Sequence, residues 1–113
     1  MKTYGLIFRM NITVPSAQPS EAEMTQYMHD WSLWLQKIAS TNQLAPGGHH
    51  FSKEGKVLRK NQISEGPYSG NDQQSIAGYI LIYADNMTGA MHIAEQCPVL
   101  NGDNTSVEIR EIQ

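Results

Sequence analysis

His49 and His50 stand side by side and are the residues best suited to proton transfer, because imidazole titrates near neutral pH. They fall in a stretch that reads as a strand, where neighbours point to opposite faces. The two therefore do not readily hold one ion, and no metal site is expected. His49 can still act as a general base in a cleft; an ordinary exposed strand histidine is the alternative. Glu65 is the second acid–base candidate. It precedes Gly66-Pro67, so its carboxylate can equally accept backbone N–H bonds and set a turn. Arg9 ends an otherwise apolar stretch and can grip a carboxylate or phosphate with two parallel hydrogen bonds. It can also pair with Glu108 or Glu111 across a sheet. Tyr68 offers a hydroxyl to a ligand or a ring to the packing.

Other polar groups carry less. His29-Asp30 are adjacent on a predicted helix, and adjacent helical residues do not face each other. His92 lies beside the apolar stripe of a second helix. Cys97 lies near a helix C-terminus, where the negative end of the dipole disfavours a thiolate, so it reads as a small core residue. No Walker loop, dinucleotide-binding glycine pattern, Cys-x-x-Cys or recognisable Ser/His/Asp order is present, and no cofactor is expected.

The elements that must position these groups are legible as patterns. Thr3 to Met10 alternates as a strand, with Tyr4, Leu6 and Phe8 on one face. Ser20-Glu21-Ala22-Glu23 is a capping box, and the helix it starts runs to about Ala39. Met24, Tyr27, Met28, Trp31, Leu35 and Ile38 make its apolar stripe, widened by Trp34. His49 to Ser52 and Lys56 to Lys60 read as a hairpin joined by Lys53-Glu54-Gly55. Ile76 to Ala84 is the most hydrophobic run, read as a central strand buried on both faces. Asn86 to Cys97 reads as a helix with Met87, Ala90, Met91, Ala94 and Cys97 inward, and Thr105 to Ile112 as a last strand.

One helix follows the first strand and one follows the central strand. That order predicts an α+β, ferredoxin-like sandwich: an antiparallel sheet with two helices on one face. The other face, with Ile7, Tyr79, Leu81 and Tyr83 or their neighbours, is left without cover, so a homodimer packed sheet to sheet is expected.

The chain has 113 residues, enough for one domain with a modest core. A formal net charge of −3 argues against nucleic-acid or anionic-membrane partners, which need a basic face. A single cysteine allows no internal disulfide and suits a reducing cytoplasm. Arg9 and Asn11 interrupt the first apolar stretch, so no signal-peptide core is read there.

Glu65-Gly66-Pro67-Tyr68 resembles the Asp-Gly-Pro-Phe signature of the YCII-related proteins of the DGPF type. Gly47 to Arg59 resembles that family's Gly-Gly-hairpin segment. Ser75 to Tyr79, Cys97 to Leu100 and Ser106 to Arg110 follow its pattern as well, so the resemblance extends over nearly the whole chain. It implies a ferredoxin-like fold in a dimeric α/β barrel, with a cleft between sheet and loops for a small molecule. It implies no settled reaction. Some family genes neighbour those of extracytoplasmic-function sigma factors, which implies a regulatory alternative. The chain departs from the pattern at Glu65 and Tyr68, and Gln73-Gln74 stand where many members carry Lys-Glu. Trp31 stands where the YCII branch places a catalytic histidine.

The resulting expectation is a cytoplasmic homodimer with a small-molecule cleft. Arg9, Tyr68 and Gln74 bind the ligand, and His49 or Glu65 moves a proton in lyase or isomerase chemistry. The alternative is a non-catalytic module that senses a ligand or binds a protein in sigma-factor-dependent transcription.

Overall fold

A computed structural model describes residues 1–113. Strand β1 (Lys2–Met10) is followed by helix α1 (Glu21–Ser40), strand β2 (Leu44–His50) and a small hairpin of β3 (Lys56–Arg59) and β4 (Gln62–Glu65). Strand β5 (Ser75–Ala84), helix α2 (Met87–Ala94) and strand β6 (Ser106–Ile112) complete the chain. The main sheet has the order β2-β5-β1-β6, and all its pairings are antiparallel. Each inner strand, β1 and β5, is followed by a helix. The architecture is α+β, and this order is compatible with a ferredoxin-like sandwich. No helix is long and apolar enough to cross a membrane.

Local chemistry accounts for the helix starts. The Ser20 hydroxyl accepts from the Glu23 N–H at 3.2 Å, and the Glu23 carboxylate accepts from the Ser20 N–H at 3.0 Å. This reciprocal pair satisfies two of the donors a helix start leaves open. Asn86 caps α2 by accepting from the Gly89 N–H at 2.9 Å. The second helix stops at Ala94, shorter than its apolar pattern suggests, and Pro98–Asn101 form a separate 3-10 turn.

Both helices cover the same face of the sheet. Tyr4, Leu6 and Phe8 of β1 meet Ile80, Ile82 and Ala84 of β5, with Trp34, Ile38, Ala90 and Ala94 above them. Phe8, Trp31 and Trp34 pack edge to face, with Phe8 and Trp31 centroids 4.8 Å apart. The Trp34 indole N–H donates to the Ile93 carbonyl and ties α1 to the end of α2. The N-terminal half of α1 sits looser, with Met24 and Met28 exposed.

Two expectations are corrected here. The hairpin is not His49–Ser52 with Lys56–Lys60. Residues 44–50 instead form an edge strand of the main sheet, which the strand-poor Pro46-Gly47-Gly48 sequence conceals. Gly48 has φ +114°, and a Cβ there would stand 3.0 Å from the Tyr79 carbonyl oxygen, so the glycine is what lets β2 reach β5. The hairpin turn is Lys60-Asn61, with Asn61 in the left-handed region at φ +64°. Its strands pair with each other rather than with the main sheet.

The second correction concerns β5. It is central, but only the face bearing Ile80, Ile82 and Ala84 is fully buried; Tyr79, Leu81 and Tyr83 on the other face are half-buried. That open face gives the molecule a slab shape of 43 × 39 × 21 Å. Its radius of gyration, 15.1 Å, exceeds the roughly 13 Å of a compact domain of this length.

Candidate functional site

An irregularity between Phe8 and Arg9 sets the geometry of the one groove that gathers several candidates. Phe8 pairs with Gly78 but Arg9 pairs with Ile76, so Ala77 is an extra residue on β5. Beyond this bulge Arg9 and Ile76 lie side by side on the open face. The segment from Pro67 to Gln74 then curls back over them. Together they enclose a groove of about 400 Å³, lined by Arg9, Pro67, Tyr68, Gly70, Asp72, Gln74 and Ile76.

The curled segment is held by its own hydrogen bonds. The Gly70 N–H donates to the Gln74 carbonyl and the Gln73 N–H to the Gly70 carbonyl. The Gln74 N–H donates to the Asp72 carboxylate at 3.1 Å, and the Ser69 and Ser75 hydroxyls lie 2.6 Å apart. The turn before β6 fastens it from outside. The Asn104 side chain donates to the Asp72 carbonyl and accepts from the Gln74 amide, and the Ser106 hydroxyl donates to the Gln74 side-chain oxygen at 2.7 Å. Gln74 thus lines the groove while also anchoring the loop.

Arg9 is the charged group at the groove floor. One of its terminal nitrogens donates to Glu108 Oε1 at 2.6 Å, and it makes no other hydrogen bond. The other oxygen of Glu108 faces Arg110 at 3.4 Å. Glu108 therefore bridges two guanidinium groups. The Arg9 hydrogen bond, opposed by some desolvation, holds the Glu108 carboxyl below its usual range. Glu111, the other partner considered for Arg9, pairs instead with Lys2 at 3.3 Å.

Three of the five site candidates, Arg9, Tyr68 and Gln74, meet at this groove; His49 and Glu65 do not line it. Glu65 ends β4, is 79% exposed in its side chain and faces Lys56 at 3.3 Å. Gly66, at φ +83°, turns the chain directly after it and sends Pro67 and Tyr68 toward the groove. Tyr68 is largely exposed, and the Arg59 guanidinium stands 6.0 Å from its ring centre. His49 lies on the open face of β2, exposed, with its ring 6.1 Å from that of Tyr79. His50 faces the opposite way.

The remaining titratable candidates are dispersed. His29 is exposed, and Asp30 accepts from Gln26 rather than from a histidine. Trp31 is half-buried and packs edge to face on Phe8 at the margin of the core. Cys97 is buried, and burial pushes its thiol up to about 12. No three His, Cys, Asp or Glu side chains come together in a way that could hold a metal ion. Sequence reasoning missed Asp72 and Ile76 as lining residues. Asp72 sits in the polar run Asn71-Asp72-Gln73-Gln74, whose composition marks a loop but gives no direction to the carboxylate.

Compared with known proteins, the chain matches no protein-family model, and no curated protein matches it.

Proposed function

We propose that this chain is a YCII-related, DGPF-type domain that works as a homodimer and binds a small molecule in the groove beneath the Pro67–Gln74 loop. The observation that carries the reading is the groove itself. It places one cation, polar side chains and an exposed ring around a space of about 400 Å³, within the range small-molecule sites occupy.

Surface area supports the dimer. The single chain exposes 7774 Å², about 1,600 Å² more than a monomer of its mass ordinarily does. A stable interface covers roughly 800 Å² or more on each partner. The candidate surface is the open sheet face, where Ile7, Tyr79, Leu81 and Tyr83 lie half-buried and Ile76 and Ile112 are exposed. Two such faces packed together give the barrel-like dimer that the sequence resemblance implies.

A second reading adds proton transfer by His49, because His49 shares the open face with Arg9 and a facing partner would enclose both. Glu65 is less suited to this role, since its carboxylate is solvated and paired with Lys56.

A screen of small polar metabolite-like compounds, followed by amide and side-chain NMR, tests the binding reading. Binding compounds are expected to shift the signals of Arg9, Tyr68, Gln74 and Ile76. Compounds that bind while leaving these four silent would place the site elsewhere and remove the reading.

A further inference from the structure

The charges around Arg9 say which ligand chemistry the groove accepts. Arg9 donates one hydrogen bond to Glu108 and keeps its remaining N–H donors free. Glu108 is divided between Arg9 and Arg110, so this trio carries one net positive charge. Asp72 adds a single negative charge on the loop side. The site as a whole is close to neutral, with its one under-compensated cation on the floor.

That balance suits one negative charge and disfavours two. A doubly charged phosphate would meet Glu108 and Asp72 as well as Arg9. Phosphate cradles also rely on successive free backbone N–H groups, and three of those on this loop are already engaged. The amides of Gly70, Gln73 and Gln74 all point into the loop's own turn. The free edge of a guanidinium, by contrast, matches the two oxygens of a carboxylate. Apart from Gly70 and the Gln74 amide, the rest of the wall is apolar or aromatic: Pro67, the Tyr68 ring and Ile76, the last two being 64% and 42% exposed. Exposed apolar side chains beside a cation want a ligand with an apolar body attached to its charge.

We propose that the groove selects small amphipathic monocarboxylates, with Arg9 gripping the carboxylate and Tyr68 and Ile76 covering the apolar body. This rests on the groove being the ligand site. Glu108 then tunes the site by competing with the ligand for Arg9.

The test is a calorimetric or NMR titration with benzoate, benzamide and inorganic phosphate, on the full chain and on three variants. Benzoate should bind about tenfold or more tighter than its neutral isostere benzamide, and tighter than phosphate. Arg9→Gln should abolish the preference for benzoate over benzamide. Glu108→Gln should tighten benzoate severalfold, because it frees Arg9 from its competitor; a purely structural ion pair would weaken binding in both variants. Arg110→Gln should return Glu108 wholly to Arg9 and weaken benzoate, and its exposed position keeps this arm usable if Arg9→Gln fails to fold. Equal binding of benzoate and benzamide at the groove overturns the carboxylate inference and leaves the binding site standing. Phosphate binding tighter than benzoate also overturns it. Failure of both aromatic probes, while other compounds shift the groove residues, overturns it as well.

Discussion

Replacing Gly78 by alanine tests the close approach on which the β2 edge depends. Gly78 adjoins the extra residue Ala77 and pairs with both Phe8 and His50. An added Cβ would stand 2.5 Å from the His49 carbonyl oxygen and 3.2 Å from the His50 Cα. Comfortable contact is nearer 3.5 Å, and both obstacles are backbone, so β2 must retreat by about 1 Å. Forced repacking of this kind costs about 1–3 kcal/mol. Alanine recovers about 0.5–1 kcal/mol through the reduced entropy of the unfolded chain. The steric term wins, and the expected loss is about 1–2 kcal/mol. In urea, at fixed protein concentration, that corresponds to a midpoint lower by about 1 M with an unchanged slope. Gly89→Ala is the matched control. Its Cβ would meet Ala84 at an ordinary 3.5 Å within α2, so it should stabilise by about 0.5–1 kcal/mol. If Gly78→Ala proves as stable as the parent while Gly89→Ala behaves as stated, the close β2–β5 approach is wrong.

The proposed dimer and the buried thiol give two further tests. Leu81→Glu puts a carboxylate in the middle of the open face, beside Gly5 and Gly47. It should turn a dimer into a folded monomer by light scattering, with association weakened by about a thousandfold or more; an unchanged dimer mass would exclude this face as the interface. The folded Cys97 thiol keeps its proton to about 12, against 9.0 for the ordinary thiol. The folded state therefore binds more protons across that window, and stability should fall as pH rises through it, by at most about 1.4 kcal/mol per pH unit. Cys97→Ala should flatten that decline relative to the parent, and equal slopes in the two proteins would show that the thiol is not desolvated.

Sequence patterns revealed the elements whose signals are local. The first helix has both a capping box and a 3.6-residue stripe; β1 and β6 place Tyr4, Leu6 and Phe8, and Val107 and Ile109, at alternate positions. What they concealed depended on distant partners. Pro46-Gly47-Gly48 looks like a loop because glycine and proline carry no strand signal, yet Gly48 is what lets β2 lie against Tyr79 and Ile80. The site divided along the same line. Arg9 and Tyr68 stood out by residue type, but the extra residue at Ala77 and the positive φ of Gly66 decide which side chains reach one place. Glu65 is three residues from Tyr68 and still outside the groove, because the turn between them parts their directions.

The apolar run of β5 has the composition of a strand covered on two sides, and the chain covers it fully on one. Its residues are hydrophobic at every position from Tyr79 to Ala84. On the covered side Ile80, Ile82 and Ala84 lie under the helices. The other side is covered only at one end, by the Pro67–Gln74 loop over Arg9 and Ile76 and by Phe51 against Tyr79; both helices are committed to the core face. Leu81 nonetheless lies across glycines on both neighbouring strands, a smooth apolar surface with no side chain standing up from Gly5 or Gly47. In the proposed dimer a second copy of the same slab would present a matching surface, and the two-sided pattern of β5 would then describe the assembly rather than the single chain. On that reading the groove at Arg9 and Ile76 opens at the margin of the interface, so dimer formation and ligand access bear on the same residues.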